Sequence, residues 1–103
     1  MSRSTLFDRL NHELEAFGRK AQWAIDDGKL QIEVLRVRRK QDHVARDLGL
    51  LVHRRERGGD ADPRRIDALL LRLDDLAGEI GRLEGQLQEA KRQRAERQPA
   101  SSV

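Results

Sequence analysis

Arg57-Gly58-Gly59-Asp60-Ala61-Asp62-Pro63 decides how this chain folds. Two consecutive glycines end a helix, because glycine takes the left-handed cap conformation without a Cβ penalty. Three residues on, Asp62 is placed to cap a new helix, with Pro63 at the first helical position, where its missing N–H removes no bond. The stretch therefore reads as a stop followed by a start. It predicts one helix over about residues 4–57, a turn over 58–62 and a second helix over about 63–97.

Outward from the turn, both helices carry an apolar seam. In the second, Ile66, Leu69, Leu73, Leu76, Ile80, Leu83, Leu87 and Ala90 follow one another in steps of three and four. In the first, Leu30, Val34, Val37, Gln41, Val44, Leu48 and Leu51 do the same. That spacing holds one stripe toward a partner helix along a supercoil, and so short a turn makes the pair antiparallel. The fold class expected is all-α, an antiparallel coiled-coil hairpin. Centring the fold-back on the glycines layers Leu51 with Ile66, Val44 with Leu73, Gln41 with Leu76, Val37 with Ile80 and Leu30 with Leu87. The same register sets Asp47 beside Arg72 and Lys40 beside Glu79, and lets Arg38 reach Glu84. Only Arg54 and Arg65, at the tip, meet with like charge. Gln41, the one polar residue in the central seam, reads as a side chain that carries its amide to the seam edge.

The opening half of the first helix has a stripe of its own: Leu6, Phe7, Leu10, Leu14, Phe17, Ala21, Ala24, Ile25, Ile32 and Leu35. At 100° per residue it centres nearly opposite the hairpin seam. A helix apolar on two sides is covered on two sides, yet the second helix is long enough to reach back only to about residue 28. Residues 5–27 are thus expected to overhang a single domain spanning 1–97. Leu6, Phe7, Leu10, Leu14, Phe17, Ala21 and Ile25 form the expected partner interface. Gly28 costs about 1 kcal/mol relative to alanine within a helix. The stripe keeps its phase through Ile32 and Leu35, which favours one continuous helix over a break there. Gln98 to Val103, with Pro99 and two serines, reads as a disordered tail.

Composition narrows the function. The 103 residues include 21 basic and 18 acidic side chains that interleave, so the net charge of +3 describes a solvated helix surface more than a polycation. The absence of cysteine removes disulfides and cysteine-held metals. No apolar run approaches a membrane span and the start lacks a signal-peptide core, which points to the cytosol or the inner face of a membrane. His12 with Glu13 and Glu15 fails the paired-histidine zinc pattern, because Ala16 stands where the second ligand is needed. No nucleophile–base set or phosphate loop is present, so no catalytic, cofactor or metal residue is expected.

Two features invite a sharper reading. Arg54, Arg55, Arg57, Arg64 and Arg65 gather at the tip as a candidate anion or nucleic-acid contact. The first three also complement a helix C-terminus, whereas Arg64 and Arg65 oppose a helix N-terminus. The clusters at Arg36 to Lys40 and at Lys91, Arg92 and Arg94 lack interleaved aromatics and read as solvated faces. Gly78, Gly81 and Gly85 line the outer side of the second helix, either as a groove for another helix or as tolerated drift.

Leu6-Phe7-Asp8-Arg9-Leu10, Gly28-Lys29-Leu30-Gln31-Ile32-Glu33 and Ala45-Arg46-Asp47-Leu48-Gly49 together resemble a group of small uncharacterised bacterial helical-hairpin proteins. In some of these a zinc ribbon follows the hairpin; no cysteine is present here to build one. An amphipathic start ahead of a hairpin is also similar to phage-shock-protein-A-like membrane scaffolds. The resemblance implies the hairpin and leaves the activity open. The expected partners are a second copy or another helical protein, then a membrane surface through residues 6–25, and last a nucleic acid at the tip.

Overall fold

The computed structural model describes residues 2–97, with side chains from residue 5 onward. The tail expected at Gln98 to Val103 lies outside the described residues. Two helices are present, α1 (Ser2–Glu56) and α2 (Pro63–Arg97), packed antiparallel as a hairpin. α1 runs unbroken through Gly28. The molecule is a rod of 86 × 19 × 19 Å. Its length is that of α1, since 55 residues at 1.5 Å each make roughly 80 Å.

The turn closes as its sequence dictates. Gly58 takes a positive φ of 82°. Its N–H donates to the Arg55 carbonyl at 3.1 Å, and that of Gly59 to the Arg54 carbonyl at 2.9 Å. This pair of bonds is the Schellman cap, which satisfies carbonyls that a helix end otherwise leaves open. A Cβ on Gly59 would fall 2.7 Å from Arg54 Cγ, so the Arg54 stem lies over the turn. The Asp62 carboxylate accepts a bond from the Arg64 N–H at 2.9 Å, and the Asp62 carbonyl accepts from Arg65 and Ile66. Pro63 opens α2 beneath that cap. α1 ends at Glu56, one residue before the expected limit, because Arg57 already belongs to the turn.

Packing follows the seam. Val34, Val37, Leu76, Ile80 and Leu83 form the core cluster, with Leu30, Val44 and Leu87 packed against it. Val37 and Leu76 are fully buried, at 0% exposure. Ile66 is buried nearer the tip, and Gln41 is half-buried. Among the described residues no buried side-chain nitrogen or oxygen lacks a hydrogen-bond partner. Arg38 bonds Glu84 across the helices, in the expected register. The pairs Lys40–Glu79 and Asp47–Arg72 do not close to ion-pair distance; Lys40, Asp47 and Arg72 are exposed and Glu79 half-buried, and holding two long side chains in place at such an edge gains little.

A candidate interaction surface beside a charged clasp

The hairpin is fastened at its open end by a cluster that the seam alone does not announce. Arg94 Nη1 and Nη2 donate to the two carboxylate oxygens of Asp27, each at 2.6 Å. The Arg94 guanidinium also lies over the Trp23 ring, 5.4 Å from its centroid. A planar cation held by a carboxylate fork and an aromatic face uses properties that lysine lacks. Both charged side chains are about one-fifth exposed, so this pair is better shielded than the other ion pairs of the rod. The Arg94 hydrogen bonds, reinforced by its charge and that of Lys91, hold Asp27 below the ordinary carboxylate range against the opposing effect of desolvation. Arg94 is correspondingly raised by the Asp27 hydrogen bond.

Sequence reasoning set Arg94 among the solvated basic clusters. The signal was available: carrying the seam register two layers beyond Leu30–Leu87 brings Ala90 opposite Asp27 and Arg94 opposite Trp23. The cover provided by α2 therefore extends to Trp23 instead of stopping near residue 28, and the bare part of α1 begins just before it.

Beyond the clasp, the first apolar stripe is uncovered. Phe7, Leu14 and Phe17 are 63%, 67% and 72% exposed, and Leu6, Leu10 and Ile25 are also exposed. Ala21 and Ala24 lie open on the same side. Helical spacing puts all of these within one face, so every residue of the expected interface is presented together. Ile32 and Leu35 continue the stripe and are exposed, with Leu35 also lining a depression beside Glu84 and Leu87 of α2. A run of this kind exceeds the scattered single apolar residues normal on a protein surface.

The tip is less organised. Arg54, Arg55, Arg57, Arg64 and Arg65 are all exposed. Arg54 and Arg65 share the wall of a shallow depression with Asp47, Leu50 and Leu51. Arg55 lies 3.5 Å from the Glu56 carboxylate. Arg54 and Arg65 are thus brought together, beside Asp47, while Arg55 pairs with Glu56 and Arg64 follows the Asp62 cap. Nothing lies within 4 Å of a Cβ added at Gly78, Gly81 or Gly85, so that side of α2 is open. Among the described residues no three His, Asp or Glu side chains cluster to hold a metal ion, and no helix is long and apolar enough to cross a membrane. Compared with known protein families, curated proteins and solved structures, the chain gives no match.

Proposed function

We propose that this chain is a non-enzymatic coiled-coil interaction module of the cytosol that self-associates through the exposed stripe of α1. The carrying observation is the exposure of Phe7, Leu14 and Phe17 on one face of a helix whose opposite face is already used within the hairpin. Area favours a second copy as the occupant. Before Gly28, six large apolar side chains of this face are exposed on each chain. At roughly 100 Å² each, pairing two copies removes about 1,200 Å² from water, the lower end of the range for stable interfaces. Charge disfavours a lipid surface, because Arg9, Arg19 and Lys20 on this segment are countered by Asp8, Glu13 and Glu15, which weakens attraction to anionic headgroups.

The test is the mass of the full chain in solution, by light scattering or sedimentation, beside a Leu14→Asp/Phe17→Asp variant. A self-associated wild type and a helical, monomeric variant support the reading. A folded wild-type monomer at micromolar concentration ends it. Flotation with anionic vesicles, accompanied by a blue shift of Trp23 fluorescence, would replace it with a membrane-surface role.

A further inference from the structure

We infer that two copies pair antiparallel through residues 7–24, about a two-fold axis that passes level with the junction of Glu15 and Ala16. This rests on the self-association proposed above and specifies its geometry. The stripe has a large-to-small gradient: Phe7, Leu10, Leu14 and Phe17 lead, and Ala21 and Ala24 follow, in uninterrupted steps of three and four. An antiparallel pairing sets Phe7 against the partner's Ala24, Leu10 against the partner's Ala21, and Leu14 against the partner's Phe17. Large residues then meet small ones at both ends, the bulk of the two Leu14–Phe17 layers sits at the centre, and no layer stacks two phenylalanines or two alanines. A parallel pairing stacks Phe7 on Phe7 and Ala24 on Ala24, overfilled at one end and empty at the other.

Charge selects the same arrangement. Glu13 and Lys20 flank the stripe on one side, seven residues apart. In the antiparallel register, Glu13 of each copy faces Lys20 of the other, twice by symmetry. In a parallel register, Glu13 meets Gly18 and Lys20 meets Ile25, with no charge partner. Most of the face is open. The clasp carries α2 on the Trp23 and Asp27 side of α1, and only at the inner end of the stripe do Arg94 and Ala95 come alongside Lys20 and Ala24, round a depression that leaves Ala24 exposed. The hairpin bodies then project in opposite directions. The axis lies about 20 Å from the start of α1 at Ser2, so two rods of 86 Å overlap over about 40 Å and give a particle about 130 Å long, against about 90 Å for a parallel dimer. Ile32 and Leu35 stay outside the overlap.

Two full-length variants test this. Glu13→Lys carries lysine at both flanking positions, and Lys20→Glu carries glutamate at both. Each alone is expected to self-associate about tenfold more weakly than wild type, and an equimolar mixture to recover as a heterodimer by native mass spectrometry. Because the chain has no cysteine, Glu13→Cys mixed with Lys20→Cys should give the mixed disulfide in preference to either homodimeric one. X-ray scattering of wild type should give a maximum dimension of about 130 Å. A wild-type dimer of about 90 Å, broken by Ile32→Asp and indifferent to the charge exchange, would overturn the antiparallel register and leave self-association standing. A wild type that stays monomeric would remove both.

Discussion

Residues 2–22 and residues 23–56 belong to one helix, and each carries an apolar stripe, yet they end in opposite states. From Trp23 onward the seam is covered by α2, with Val37 at 0% exposure. Before Trp23 the stripe is bare, with Phe17 at 72%. The stripes lie on opposite sides, so averaged over its whole length α1 has almost no preferred apolar face. The contrast teaches that burial in this molecule is decided by where α2 ends. Local sequence in α1 supplies oily surface throughout, and the 35 residues of α2 cover only part of it.

The largest break in this contrast should come from truncating the covered half. Leu76→Ala removes a side chain with no exposure and is expected to cost about 2–5 kcal/mol, seen as a collapse of the helical signal at much lower urea. Leu71→Ala, on the exposed side of α2, should change the stability by less than about 0.5 kcal/mol. Equal losses for the two would mean that the hairpin seam is not where stability resides.

Next in size is the turn. Gly58→Ala forces a side chain into the left-handed region and should destabilise by about 1 kcal/mol. An unchanged thermal midpoint would show that the hairpin does not need this cap. Gly28→Ala should act the other way. The added Cβ meets nothing within 4 Å, and helix propensity gains about 0.5–1 kcal/mol. A lower midpoint would instead place a helix break at the border of the two regions.

The clasp sharpens that border and carries the smallest expected effect. Asp27→Asn loses the charge that Arg94 binds and should lower the midpoint at neutral pH by less than either glycine change. The sign with pH follows from the depressed carboxyl of Asp27. Its contribution is present above the unfolded value near 4 and is lost as pH falls through the lower folded value. Wild type should therefore lose stability on acidification below about pH 4 more steeply than Asp27→Asn. Parallel acid limbs in the two melting curves would show that Asp27 is not held by Arg94 in solution.

Much of the fold was legible because it rests on local chemistry. Gly58-Gly59 and Asp62-Pro63 each specify one backbone geometry, and seam steps of three and four admit one facing side. Layering outward from the turn then placed Arg38 by Glu84. The clasp was harder to see because Arg94 looks apolar to no pattern. An arginine in a seam position registers as the seam ending, whereas its fork and flat face let it close the seam against Asp27 and Trp23. Lys40–Glu79 and Asp47–Arg72 failed for the reverse reason: proximity in register brings exposed charges near but does not hold them. The interface residues were legible as a stripe, since amphipathic spacing is a local property, while the identity of what covers them is not written in that spacing.

The position of Arg94 has a mechanical consequence. The free end of α2 and the bare end of α1 leave the hairpin side by side, so a pull that separates them peels the helices apart one layer at a time. Such loading puts all the force on the outermost contact, the Arg94 guanidinium held between Asp27 and Trp23. A pull directed from the bare end to the glycine tip instead runs along α1 and strains its backbone hydrogen bonds in series. The same rod should thus yield readily when unzipped and resist when stretched end to end.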